Sequence, residues 1–198
     1  MTLLLSRSDV QRALRMEDAI GLVERGFTEF GEGSVEMPQR PVIFVPEHDG
    51  LAAFMPALVR GMGALSIKTV TAFKSNVKKG LPTILGTVTL LDPETGVPLS
   101  IMDGGYLTAV RTGAASGVAT KYLAREDARI AAIFSGGVQA RTQLEAICTV
   151  RDINEVRVFD VDHAQAERFA EEMGGHGPIP ADIEVVGSPR EALDGAHI

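Results

Sequence analysis

Three cationic side chains stand in contexts that invite chemistry. Lys68 lies within Leu65-Ser-Ile-Lys-Thr-Val-Thr71, otherwise a run of apolar and small residues. On an extended strand it shares a face with Ser66 and Val70. A lysine so placed is either a guard on an edge strand or an amine turned to a ligand cavity, where desolvation suits it to proton transfer. Arg40 opens an apolar run between Pro38 and Pro41. Arg111 falls near the start of a predicted helix, where a cation opposes the helix dipole and needs another reason to be there. A planar guanidinium grips a carboxylate through two parallel hydrogen bonds. Taken singly, each arginine is first read as half of a surface salt bridge.

A second cluster runs from Arg129 to Asp160. Ile130 to Phe134 is an apolar run of strand length. Ser135-Gly136-Gly137 makes a tight turn, after which Val138, Leu144 and Ile147 recur at helical spacing. Strand, glycine turn and helix bring backbone N–H groups to a helix N-terminus, where a phosphate is favoured. Another apolar run, Val156 to Phe159, ends in Asp160, about where a ribose-binding carboxylate is expected. The pattern is that of a dinucleotide-binding unit, with Ser135 where the first glycine belongs and Gly137 and Ala140 in the second and third places. Thr112, beside Arg111, either caps its helix or touches a cofactor phosphate. Asp103 in Met102-Asp-Gly-Gly105 reads as a turn or N-cap residue. The single cysteine, Cys148, reads as a small buried residue. The four histidines make no metal-ligand spacing, and no Gly-x-Ser-x-Gly elbow is present.

Two kinds of element must position these residues. Ser8 with Gln11 suggests a capped short helix, and a longer one is predicted from Met16 to Phe30 with Ile20, Val23, Phe27 and Phe30 inward. Five strands follow: Arg40 to Val45, Leu51 to Met55, Ala64 to Phe73, Pro82 to Leu91 and Val97 to Met102. Short turns between them imply an antiparallel sheet, and Asp92-Pro-Glu-Thr-Gly96 closes one hairpin. A helix from Tyr106 to Leu123 carries Gly113 and Gly117 in its interior, which calls for a packing or ligand reason. From Ile130 the texture is βα alternation, ending with a strand that opens at Ala196. The expectation is an α/β (α+β) chain of two domains. Residues 1–123 form an antiparallel domain, to which the family resemblance given below assigns substrate binding and dimerisation. Residues 124–198 form the first half of a Rossmann-type domain, so the chain reads as the N-terminal part of a longer protein.

The totals agree. A length of 198 residues and 45% hydrophobic content allow a real core. A net charge of −7 argues against nucleic-acid and anionic-membrane partners. One cysteine and the absence of a membrane-length apolar run or a signal segment fit a cytoplasmic protein.

These motifs together resemble the ornithine cyclodeaminase and mu-crystallin family. The residues that carry the resemblance are Met55-Pro-Ala57, Ile67-Lys-Thr-Val70, Asp92-Pro-Glu-Thr-Gly-Val-Pro-Leu99, Met102-Asp-Gly104, Leu107-Thr-Ala-Val-Arg-Thr-Gly-Ala-Ala-Ser116 and Gly137-Val-Gln-Ala-Arg141. The resemblance implies an NAD-dependent enzyme, with NADP possible, acting on a small amino or imino acid as a homodimer. It implies that Arg40, Met55, Lys68 and Arg111 hold substrate, with Lys68 catalytic. It places Thr83, Thr112, Ser135, Gly136, Gly137, Val138, Gln139 and Asp160 at cofactor positions. It also implies that the family's catalytic aspartate belongs beyond residue 198, so that this stretch alone should not turn over. The leading expectation is conversion of ornithine to proline and ammonia; the alternatives are an amino-acid dehydrogenase or ketimine reductase. A nucleotide-binding protein without activity, like the mu-crystallins, and an inactive fragment are the other readings. Arg151, close before the second strand of the alternation, is expected to blur the choice between NAD and NADP.

Overall fold

The computed structural model describes residues 1–198. The chain divides into two compact units, Met1–Leu14 with Arg25–Thr108 and Arg15–Glu24 with Ala109–Ile198. These limits differ from a simple cut after Leu123. Helices α2 (Met16–Gly31) and α3 (Gly104–Leu123) each contribute residues to both units.

The first unit contains β1 (Leu3–Leu5), α1 (Arg7–Ala13), β2 (Val35–Glu36), β3 (Val42–Val45), β4 (Gly50–Val59), β5 (Ala64–Phe73), β6 (Ile84–Leu91) and β7 (Pro98–Asp103). Its sheet runs β1-β7-β6-β5-β4-β2, with β3 also paired to β4. Neighbours from β4 to β7 are antiparallel, as short connections require, and β1 joins β7 in parallel. In the hairpin before β7, one Asp92 oxygen accepts the N–H groups of Glu94 and Thr95 at 2.8 and 3.0 Å. Gly96 supplies the positive φ of 74° that the turn needs.

Three local expectations change. The first helix is capped by Ser6, not Ser8. Ser6 Oγ accepts the Asp9 N–H at 3.3 Å, and Asp9 returns a bond from the Ser6 N–H at 2.8 Å. An ionised carboxylate three residues on closes that box. The strand expected from Arg40 begins at Val42, because Pro41 has no N–H to give the ladder. The strand expected to stop at Met55 continues through Pro56 to Val59. On that side of β4, β3 pairs with it up to Ala53 and β2 takes over at Leu58. Pro56 falls in the gap between them, so its missing donor costs no ladder bond.

The second unit alternates β8 (Ile130–Phe134), α4 (Val138–Val150), β9 (Glu155–Phe159), α5 (His163–Met173), β10 (Ile183–Val185) and α6 (Pro189–Leu193). Its strands are parallel in the order β10-β9-β8. On the other side of β8, Ile198 donates to the Ile130 carbonyl at 3.2 Å and accepts from Ala132 at 2.8 Å. The spatial order of the three strands is therefore third, second, first, as at the start of a doubly wound nucleotide fold. Ala131 and Ile133 of β8, Leu144 of α4, Val156 and Val158 of β9 and Phe169 of α5 are buried together.

The interior glycines of α3 have a packing reason. A Cβ on Gly113 would overlap the Thr142 backbone carbonyl, and one on Gly117 would stand 3.0 Å from Ile20 Cδ1 and 3.2 Å from Ala146 Cβ. Thr142 Oγ1 ties the same contact by donating to the Ala109 carbonyl at 3.0 Å. The α2 stripe is inward only in part: Ile20 is buried, while Phe27 and Phe30 are exposed. Burial differs sharply between the units. In the first, only Val10 and Ala53 among apolar residues are buried, and every residue of β5 is half-buried.

Candidate functional site

Residues directly opposed on neighbouring strands point to the same face of a sheet. Lys68 is opposed by Met55 on β4 and by Val88 on β6, and Val88 by Met102 on β7. On the far side of β4, Val42 is opposed by Ala53, and the Pro41 carbonyl accepts the Phe54 N–H at 3.1 Å. One further step of this register brings Arg40 to Met55. Met55 and Lys68 are thus a recorded pair in the first unit, and Arg40, which precedes β3, falls beside Met55 only on extension of that register. With strands about 4.8 Å apart, the two cations start about 10 Å from each other, a span two long side chains close around one carboxylate. β5 is an interior strand, so Lys68 is no edge guard.

Neither Arg40 nor Arg111 has a carboxylate or carbonyl partner, so the salt-bridge reading does not describe them. Other arginines are engaged, among them Arg15 with Asp18 and Arg60 with Glu36. Arg111 is exposed on α3, and Thr112 beside it is half-buried. Thr83 precedes β6, its carbonyl accepting the Phe73 N–H at 2.8 Å. It lies five register positions along from Lys68, about 17 Å at strand rise, and does not join the pair. Asp103 takes the N-cap role, accepting the Tyr106 N–H at 2.8 Å.

The glycine turn of the second unit is specific in its parts. Gly136 is buried, and a Cβ there would meet the Gln165 carbonyl at 2.7 Å and Phe169 Cβ at 3.0 Å, so α5 packs directly on the turn. Gly137 is different: the sole neighbour of a Cβ there would be Ser135 Oγ at 3.3 Å. This side is open to a ligand. Gly137 is also the N-cap of α4 and offers no side-chain acceptor, so the first N–H groups of that helix lack a side-chain cap. Val138 and Gln139 at its start are exposed. Ser135 holds φ at 93°, a conformation that favours glycine.

Asp160 faces this turn. It accepts the Gly136 N–H at 2.8 Å, the Asp162 N–H at 2.9 Å and Gln165 Nε2 at 2.9 Å. The two backbone donors, Gly136 first, hold its carboxyl below the usual aspartate range. A carboxylate has about four acceptor positions, so capacity remains for a ribose hydroxyl. Phe134, Ser135, Phe159, Asp160 and Val161 line an open cleft of about 290 Å³. Val161 is 95% exposed at its rim. The uncapped helix start, the open side of Gly137 and the ionised Asp160 fit a dinucleotide.

Two arginines prove to be supports for this unit. Arg141 donates to the Gly136 and Gly137 carbonyls, pairs with Glu172 and lies 5.5 Å from the centre of the Phe169 ring. It clamps the turn to α4 and α5. Arg151 donates to the carbonyls of Thr120, Lys121 and Ala124 at 3.0 Å each, and to Arg125 and Val150 at 3.1 and 2.9 Å. It closes the C-terminus of α3. With its guanidinium so engaged, Arg151 is not the NADP-directed cation the sequence suggested. Burial pushes the Cys148 thiol up to about 12, which makes it inert packing.

The chain combines an antiparallel-rich sheet with a small parallel β8–β10 sheet like the start of a Rossmann fold. The sequence profile of the ornithine cyclodeaminase/mu-crystallin family matches residues 1–198, and the chain belongs to that family. Δ1-Pyrroline-2-carboxylate reductase of Thermococcus litoralis, solved with NADH and L-proline, is 47% identical with a TM-score of 0.91, covering 99% of this chain and 60% of that one. An archaeal alanine dehydrogenase dimer with bound NAD is 37% identical with a TM-score of 0.87, covering 96% and 57%. A lysine cyclodeaminase that recognises L-lysine, L-ornithine and L-2,4-diaminobutyric acid is 36% identical with a TM-score of 0.78, covering 93% and 56%. The chain thus spans about three fifths of the length of these relatives.

Proposed function

We propose that the protein is an NAD-dependent oxidoreductase that interconverts a small cyclic or acyclic α-imino acid and the corresponding α-amino acid. The observation that carries this reading is Lys68 on an interior strand with Met55 directly opposite it; Arg40 is placed beside Met55 by extending the β3–β4 register. Arg40 binds the substrate carboxylate, and Met55 supplies an apolar wall for the carbon skeleton. Lys68 gives a proton to the substrate nitrogen in the reducing direction and takes it back in the other. Arg111 is assigned to the same carboxylate by the resemblance in motif. The Ser135–Gln139 turn and Asp160 would hold a nicotinamide cofactor, whose chemistry when bound would be hydride transfer at the α-carbon. Asp160 favours NAD, because its charge accepts from a ribose hydroxyl and repels a 2′-phosphate.

The ring-closing reaction given first place by the sequence is displaced by reduction. The relatives solved as a pyrroline-carboxylate reductase and an alanine dehydrogenase have the higher identities and TM-scores, and the lysine cyclodeaminase stands below both. The test is a substrate panel on the whole protein, followed by NADH absorbance and by ammonia release. Oxidation of NADH by pyrroline-2-carboxylate, or by pyruvate with ammonia, is the expected result. Ammonia from ornithine with no net change in NADH would return cyclodeamination to first place.

The partner we assign is a second copy of the chain. The first unit buries too little of its own apolar surface to leave its sheet uncovered. Ile43 and Phe44 on β3, with Val77, Ile84 and Leu85, are all exposed, and the archaeal alanine dehydrogenase is a dimer. Light scattering on the whole protein should give twice the mass of one copy, and Phe44→Glu should shift the population to single copies. A monodisperse single copy of the unaltered protein would remove this assignment.

A further inference from the structure

The glycine turn is held from behind by one side chain. Arg141 donates from Nη1 to the Gly137 carbonyl at 3.1 Å and also to the Gly136 carbonyl. Its Nε and Nη2 both bond Glu172 of α5, Nε at 3.1 Å. Its guanidinium lies over the buried Phe169 ring, 5.5 Å from the ring centre. Charge-assisted bonds on two sides of a planar group leave it little freedom. A trans peptide is planar, and its C=O and N–H point in opposite directions. Every peptide of this chain is trans. With the Gly136 carbonyl drawn to Arg141, the Gly137 N–H points away from it. With the Gly137 carbonyl drawn there too, so does the Val138 N–H. The Gly137 N–H meets the hydroxyl of the exposed Ser135 at 3.1 Å, which marks that direction as the open one. Val138 is exposed and opens α4 without a side-chain cap, so its N–H is one of the unsatisfied donors of that helix start.

We propose that Arg141 is a positioning residue for a pyrophosphate. By drawing the two glycine carbonyls toward its guanidinium, it aims the Gly137 and Val138 N–H groups at the open side of the turn before a ligand arrives. This rests on the nucleotide reading given above. A pair of glycines needs such a hold, because their peptide planes turn more freely than those of other residues. A plane turned over would present a carbonyl oxygen to a phosphate and repel it. Gly136 is also fixed by α5, since a Cβ there would meet the Gln165 carbonyl at 2.7 Å, but Gly137 has no such packing. The backbone bond to the Gly137 carbonyl, from the Arg141 N–H, is long at 3.4 Å, so the side chain supplies the closer hold. The charge of Arg141 is already paired with Glu172. What it gives the site is the direction of two backbone donors, not attraction of the phosphate.

The experiment is competition binding on the whole protein, unaltered and as Arg141→Met and Arg141→Lys. NADH fluorescence reports displacement by ADP, which carries a pyrophosphate, and by adenosine, which carries none. Methionine keeps an apolar stem against Phe169 and loses the bonds. It should weaken NADH and ADP about tenfold, because the donors must then be ordered on binding, and leave adenosine within twofold. Lysine keeps the charge but lacks the planar fork that holds both carbonyls and Glu172 at once, so it should still weaken ADP at least threefold. A loss for ADP of less than threefold in Arg141→Met overturns the proposal and leaves the nucleotide site in place. So does a loss that falls equally on adenosine, the mark of general damage to the unit. A loss of less than threefold in Arg141→Lys overturns it too, since charge alone would then suffice. Should Arg141→Met fail to fold, the ratio of ADP to adenosine affinity is read on Arg141→Lys with the same limit. Absence of NADH binding to the unaltered protein overturns the nucleotide reading and this proposal with it.

Discussion

Lys68→Met is expected to lower kcat for imino-acid reduction by about 10²- to 10⁴-fold, the usual worth of a positioned proton donor. NADH affinity should stay within twofold, because Lys68 sits on β5 and the dinucleotide turn lies between β8 and α4. Methionine keeps the length and apolar stem of lysine, so packing beside Met55 and Val88 survives. The pH profile separates proton transfer from mere attraction of a carboxylate. A proton donor that is lost takes with it one limb of the kcat profile, whereas a lost carboxylate contact raises KM and leaves the profile in place. A fall in kcat of less than fivefold would make Lys68 a structural residue.

Arg151→Met is expected to destabilise the second unit by about 2–3 kcal/mol. Four carbonyls around the end of α3 and that of Val150 in α4 lose their donor, each bond being worth about 0.5–1.5 kcal/mol, and water replaces part of what is lost at exposed positions. A positive charge at a helix C-terminus adds a few tenths. At about 2–4 °C per kcal/mol for a chain of this size, the melting temperature should fall by about 5–10 °C in calorimetry. The ratio of NADPH to NADH affinity should not move, since the guanidinium is occupied by carbonyls. A stable variant with altered cofactor choice would show that Arg151 reaches the ribose after all.

Much of this fold was legible because local signals agreed. β5 and β8 run over the expected residues, as both are short apolar runs between clear breakers: Gly63 with a φ of 58° before β5, and the Ser135 turn after β8. The glycine turn and the acid that accepts its Gly136 N–H could be read because spacing alone locates them. What could not be read depends on partners distant in sequence. Pro56 ends a strand by every local rule, and it is tolerated only because β3 and β2 leave a gap beside it. Arg40 could be placed near Met55 only once the register from Val42 to Ala53 was known. Arg151 looked like a cofactor cation because its five carbonyl partners are set by the meeting of α3 and α4, which no periodicity announces. Arg141 could have been found. It stands in the first turns of α4, against the helix dipole, and the argument that singled out Arg111 applies to it equally. Its reason is the pair of turn carbonyls it holds.

The most direct test of the account follows one atom. NADH carrying deuterium at the transferable C4 position is supplied with pyrroline-2-carboxylate, and the product is examined by proton NMR and mass spectrometry. The account predicts proline one mass unit heavier, with the label at the α-carbon alone. Proline that forms without the label, or with it at any other carbon, would contradict hydride transfer at the α-carbon.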